Sequence, residues 1–186
     1  ELSLKEKRQV KEYRLNFISK KTGKDLSQIF TLDHHLCHIY YGYYASPFRN
    51  KKVTAISLDA GGDGVYESIS IFNKQSTHKR IFAGHECLLG PIYTMITLIL
   101  KMKPNEHEFK VMGLAPYAKF EYANKVYEDV FSKILKVKNC KIVHNKRPRD
   151  LFNYLKKSFE KYRFDNIAGG LQIFLEKIAV ELVIQV

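Results

Sequence analysis

The sequence predicts a mixed α/β domain, and three observations carry that expectation. Residues 52–73 hold two runs of alternating apolar and polar residues joined by a glycine-rich turn, the pattern of a β-hairpin. From residue 91 onward, apolar residues recur at spacings of three and four, the period of helices with one buried face. Hydrophobic residues make up 45% of the 186 and charged residues 27%, a balance that excludes a disordered or low-complexity chain and predicts a packed core.

Taken in order, residues 3–21 read as a helix, with Val10, Tyr13 and Phe17 on one face and Gly23 ending it. The apolar run Ile29 to Asp33 reads as a short strand. His34 to Tyr44 is helical again and stops before Pro47. Lys52 to Asp59 is a strand, Gly61 to Gly64 a tight turn, Val65 to Asn73 a returning strand and His78 to Gly84 a third, which together make a meander. The second half is read as helices over 91–101, 122–136 and 149–162, the last with Pro148 near its start. A final helix, capped by Asp165 or Asn166, carries the stripe Ile167, Leu171, Phe174, Leu175, Ile178 and Leu182. No internal repeat and no Gly/Ser-rich linker interrupts the chain.

Charge and cysteine content exclude several classes. The 31 Lys and Arg against 19 Asp and Glu give +12 at pH 7, and residues 119–163 hold 13 basic and 5 acidic residues. These basic residues interleave with amphipathic stripes, which reads as a solvated helix face rather than a nucleic-acid groove. Cys37, Cys87 and Cys140 form no Cys-x-x-Cys pair, so a zinc site of that kind and a disulfide scaffold are both excluded; free thiols point to a reducing cytoplasm. Pro91 to Leu100 falls short of the roughly 20 apolar residues that a membrane span needs, and Ile167 to Val186 carries Glu176, Lys177 and Glu181, so no membrane partner is expected. The chain begins at Glu1 without Met and ends at Val186 inside a helical pattern, which reads as a piece of a longer protein.

Three segments hold residue types suited to chemistry. In Asp33-His34-His35-Leu36-Cys37-His38, His34 and His38 stand four apart, one helical turn on one face, a spacing that can chelate one Fe, Zn or Mn ion. His35 projects away and could reach a substrate; the competing reading is a polar turn with no ligand. In Leu58-Asp59-Ala60-Gly61-Gly62-Asp63-Gly64, a strand delivers an acid into a glycine-rich turn whose amides can approach a phosphate. Asp59 and Asp63 could then hold a divalent cation; taken alone, Asp63-Gly64 is an ordinary hairpin signature. In Glu108-Phe109-Lys110-Val111-Met112-Gly113-Leu114-Ala115-Pro116-Tyr117, Gly113 and Pro116 predict a shaped loop in which Lys110 could meet an anion or pair with Glu108.

Together, in this order, these segments resemble the carbamoyltransferase family that includes the nodulation and antibiotic-tailoring O-carbamoyltransferases. The matching stretches are DHHLCHIYYGYYASPF at 33–48, LDAGGDG at 58–64, LLGPIYTMIT at 88–97 and KPNEHEFKVMGLAPY at 103–117, with a weaker match at 165–183. The resemblance implies an actin/hexokinase-like nucleotide-binding fold of two α/β halves. Residues 1–50 would then end the first half and carry the His motif, and 51–186 would form most of the second, without the adenosine segment and the C-terminal domain. It implies His34 and His38 as metal ligands, with iron the first candidate, and a third, acidic ligand beyond Val186. Asp59, Gly61, Gly62, Asp63 and Gly64 would form the phosphate hairpin, with Lys110 as a further anion contact and His35 as a candidate catalytic base. The implied activity uses ATP (with Mg²⁺) and carbamoyl phosphate to make a carbamoyl-adenylate, then moves the carbamoyl group to a hydroxyl of a small-molecule acceptor. By itself, such a piece would be inactive. Two other readings stand beside it: a tRNA threonylcarbamoyladenosine transferase-like protein, and a non-catalytic remnant that binds nucleotide or nucleic acid.

Overall fold

The structure, a computed structural model, describes residues 3–186. The chain divides into two compact units, the first ending at Asp33 and the second running from His34 to Val186.

In the first unit, helix α1 spans Leu4–Thr22. Its start is a reciprocal cap: the Ser3 hydroxyl accepts the Glu6 N–H at 3.3 Å and the Glu6 carboxylate accepts the Ser3 N–H at 2.7 Å. Gly23, at φ 70°, ends it in the left-handed region, where its N–H reaches the Ser19 carbonyl. A 3₁₀ turn follows over Leu26–Gln28. The strand expected over Ile29 to Asp33 does not form; that stretch has no regular secondary structure, and none of the described strands includes it. An apolar run becomes a strand only where a neighbour takes its N–H and C=O groups. No described residue of this unit is buried, the stripe of Val10, Tyr13 and Phe17 included.

The second unit opens with α2 (His34–Tyr44) and the meander β1 (Val53–Gly62), β2 (Val65–Phe72) and β3 (His78–Gly84), antiparallel in that order. Strand β1 runs past the expected Asp59, and the turn is the two residues Asp63 and Gly64, at φ 54° and 78°. Both central residues of a type I′ turn need positive φ, which Asp-Gly supplies. The β1–β2 register is regular from Val53↔Phe72 to Leu58↔Glu67 and then slips before Gly62↔Val65, so Asp59 lies in an irregular, bulged stretch. Such slips re-aim side chains out of the pleat. Tyr43 stacks on Phe72 at 3.9 Å between centroids, and with Ile39 they form a small core that seats α2 on the meander.

Helices α3 (Leu89–Ile99), α4 (Glu108–Leu114), α5 (Phe120–Asp129), α6 (Leu151–Phe159) and α7 (Phe164–Gln185) follow, with a hairpin of β4 (Leu135–Lys138) and β5 (Lys141–His144) between α5 and α6. They enclose the larger core, in which Phe131 packs on Phe159 and Phe174, both 5.3 Å away by ring centroid. Four expectations are corrected here. The helix read over 122–136 ends at Asp129; a 3₁₀ turn at Phe131–Lys133 leads into β4, because Leu135 to Lys138 alternate and Asn139 and Cys140 both take positive φ as a hairpin turn. The loop expected around Lys110 is α4, with Val111 fully buried and Pro116 opening a 3₁₀ turn after it. Helix α6 is shorter than read, and Asp150 caps it by accepting the Asn153 N–H at 3.0 Å. Neither Asp165 nor Asn166 caps α7: the helix begins at Phe164, and Asp165 lies in its first turn, accepting from Arg163 Nε and the Asn166 N–H. No helix among the described residues is long and apolar enough to cross a membrane.

Candidate metal centre

The site is built where α2 begins against the end of β1. The Asp63 carboxylate, from the hairpin turn, accepts the His34 N–H at 2.9 Å and so caps α2 from 29 residues away. A carboxylate there satisfies an orphan donor of the first turn and complements the helix dipole. Gly62 leaves room for the next contact, since a Cβ at this position would overlap the His34 ring. Helical spacing then places His38 beside His34, with ring centroids 4.7 Å apart.

Three donor atoms converge. His34 Nε2 lies 2.5 Å from Asp59 Oδ2, His38 Nε2 lies 3.1 Å from His34 Nε2, and His38 Nε2 lies 3.7 Å from Asp59 Oδ2. All three residues remain partly open to solvent, with side-chain exposures of 42%, 52% and 29% for His34, His38 and Asp59. Burial pushes the Asp59 carboxyl up, but the His34 hydrogen bond, the Ala60 amide and the two histidine charges together hold it below the ordinary range. It is therefore a ready anionic ligand. Two nitrogens bound at about 2.1 Å and at right angles on one ion lie about 3.0 Å apart, close to the separation between the facing imidazoles here. Two imidazoles and a carboxylate suit Fe(II), Zn or Mn and leave coordination positions for other ligands. The residues fit a transition-metal ion, and Asp59 supplies within this chain an acidic donor that the sequence placed on the phosphate turn.

His35 sits elsewhere than expected. Its ring is 1% exposed; Nδ1 is 2.7 Å from Ser57 Oγ and Nε2 is 2.8 Å from the Val65 carbonyl. A buried ring with both nitrogens engaged does not face a substrate. The phosphate turn is also largely occupied. Gly62 is covered by His34, Asp63 caps α2, and Gly61 (φ 127°) lies against Tyr66, whereas Gly64 has open space around it. Lys110 is exposed on α4, 3.0 Å from His107 Nε2, on a helix that packs against α3 and α7.

Sequence reasoning missed Ser57, Ser68 and His85. Ser57 and Ser68 face each other across β1 and β2 and are buried, 2.8 Å apart by their hydroxyls. Two hydroxyls at apolar-facing positions of paired strands were the available signal. His85 donates from Nδ1 to the Gly64 carbonyl at 2.6 Å and so braces the turn; nothing in its sequence context announces that.

The fold and site thus define a class: a mixed α/β domain with a His-His-Asp cluster where a helix abuts a bulged hairpin. The chain belongs to the family described as carbamoyltransferase N-terminus, whose model matches residues 4–186. It is similar to the uncharacterized protein MJ1058 of Methanocaldococcus jannaschii, at 30% identity over 90% of this chain and 32% of that protein. It is also similar to the uncharacterized protein sll1178 of Synechocystis, at 27% identity over 86% of this chain and 28% of that protein. The chain therefore spans about a third of the length of these relatives.

Proposed function

We propose that the protein containing this chain is an ATP-dependent O-carbamoyltransferase, and that this chain supplies part of an actin/hexokinase-like domain with His34, His38 and Asp59 as a metal half-site. The observation that carries the reading is the convergence of these three donors within 4.8 Å in a chain of the carbamoyltransferase family. Water would cleave carbamoyl phosphate to carbamate and phosphate; a carbamate oxygen would then attack the α-phosphorus of ATP and expel pyrophosphate, giving the carbamoyl-adenylate, from which AMP leaves as the carbamoyl carbon is taken by an acceptor hydroxyl. A bound divalent ion would supply charge neutralisation at phosphate oxygens, which is worth several kcal/mol at such sites.

This chain's own residues do the rest of what can be assigned. Asp59 accepts from His34 and orients its ring. Asp63 fixes the first turn of α2, and Gly62 gives the His34 ring its seat. His35, engaged at both nitrogens, holds the helix in place rather than moving a substrate proton. At the turn itself, a Cβ on Gly64 would meet open space, which leaves that side of the hairpin accessible.

The test uses the full-length protein: pyrophosphate release from ATP, with and without carbamoyl phosphate, for the parent and His38→Ala. The expected result is release that requires carbamoyl phosphate and falls at least 100-fold in the variant, within the range lost when a charge-stabilising group is removed. Release independent of carbamoyl phosphate in a folded, metal-loaded protein would refute the reading and move tRNA modification to the front.

A further inference from the structure

The ligand set comes from two elements. His34 and His38 ride on α2, whereas Asp59 comes from β1, and the bond between His34 and Asp59 uses the two atoms that would bind a metal. Coordination would replace that bond, which therefore could not keep the two elements in register with an ion bound. The Asp63 cap and the core around Phe72 seat α2 on the hairpin, and the buried network under His35 connects the stretch between the two ligands.

With a neutral imidazole, the network has one consistent direction. The Val65 carbonyl can only accept, so His35 carries its proton on Nε2 and donates at 2.8 Å. Nδ1 then bears a lone pair and accepts the Ser57 hydroxyl proton at 2.7 Å. With that proton committed, Ser57 Oγ accepts from Ser68 at 2.8 Å. The ring nitrogens and hydroxyls of this network all have partners, and all four residues are buried: His35 1%, Ser57 7%, Val65 8% and Ser68 0% exposed. A fully satisfied polar network in a low-dielectric interior is rigid, and it is costly to break on one side only.

Its attachment points matter. His35 lies between the two histidine ligands on α2. Ser57 lies two residues before Asp59 on β1, and Val65 follows the turn that carries the Asp63 cap. One imidazole thus joins the helix that presents two donors to both strands flanking the third. Resting on the metal reading above, we infer that His35, with Ser57 and Ser68, is a positioning unit that sets the geometry of the His34–His38–Asp59 centre. Its role is independent of its contribution to folding.

The experiment measures Co²⁺ binding to the full-length protein by competition with a chromophoric chelator, together with the visible absorption of the bound ion. Ser57→Ala removes the hydroxyl that orients His35 Nδ1, and His35→Gln keeps the reach toward Val65 but loses the Ser57 link. Ile39→Val is the control: it trims the buried anchor of the same helix and leaves the network intact. Losing such an outer partner typically costs about 10- to 100-fold in metal affinity. Expected are a loss of at least 10-fold and an altered visible band for Ser57→Ala and His35→Gln, with Ile39→Val within about twofold of the parent and its band unchanged. Parent-like affinity and spectrum in both network variants would overturn the inference, as would an equal loss in Ile39→Val. A parent that binds no Co²⁺, or binds it unchanged as His38→Ala, would remove the metal reading itself, and the inference with it.

Discussion

Glu67 is a carboxyl with 1% exposure in the middle of a strand. One oxygen accepts the Ile142 N–H at 3.3 Å; the other has no hydrogen-bond partner. Gly84, its cross-strand partner, leaves the space that the side chain fills. Burial pushes its pKa up to about 7, against the Ile142 amide and the Lys141 charge, which pull it down. The consequence for stability has a definite sign. Between pH 4.5 and 7 the unfolded chain has lost this proton while the folded one retains it, so stability falls as pH rises through that window and levels off above it. Denaturation of the protein at pH 4.5 and pH 8 is expected to show a drop that Glu67→Gln reduces by on the order of 1–3 kcal/mol. Equal pH dependence in parent and variant would show that the carboxyl is not the source. No local pattern signals this group's fate, because its partner Ile142 arrives from 75 residues away. The His34/His38 pair was legible, since its geometry is set by a single helical turn.

At the scale of elements, α5 and α7 pack through small residues. A Cβ on Gly169 would lie 2.8 Å from the Ala123 methyl, and one on Gly170 would lie 2.9 Å from Val126 Cβ and 3.0 Å from the Ala123 carbonyl. Backbone and short side chains cannot yield as a flexible tip can. Gly170→Val is therefore expected to destabilise by about 1–3 kcal/mol by overpacking, visible as a lower denaturation midpoint with an unchanged slope. A midpoint equal to the parent's would mean that the helices have slack. The elements that sequence pattern found were those with one clear period: the meander with its Asp-Gly turn, and helices α2, α3 and α7. It failed where two periods abut. Val126, Val130, Phe131 and Ile134 continue a helical stripe past Asp129, and that stripe masks the alternation of Leu135 to Lys138. It failed again at α4, where Gly113 and Pro116 read as breakers although the buried Val111 anchors a short helix between them and the loop before it. Tertiary packing decided both.

For the whole protein, the proposed metal site would couple ion binding to stability. An ion that binds only the folded state stabilises it by mass action, by about 2.7 kcal/mol at 100 times its dissociation constant. Thermal denaturation of the full-length protein should therefore shift upward as Co²⁺ is added, and the shift should vanish in His38→Ala; an identical shift in the variant would place the ion elsewhere. The basic excess, +12 over this chain, has no part in that effect, because it lies mainly in residues 119–163, outside the cluster. The donors also differ from that excess in how close they stand along the chain. His34 and Asp59 are 25 residues apart, and His38 lies between them. Closing so short a loop costs little chain entropy. During synthesis, α2 and the meander leave the ribosome before any of α3 to α7, which contribute none of the three donors. All three donors are thus in place along the chain before the helices that pack against the meander are made.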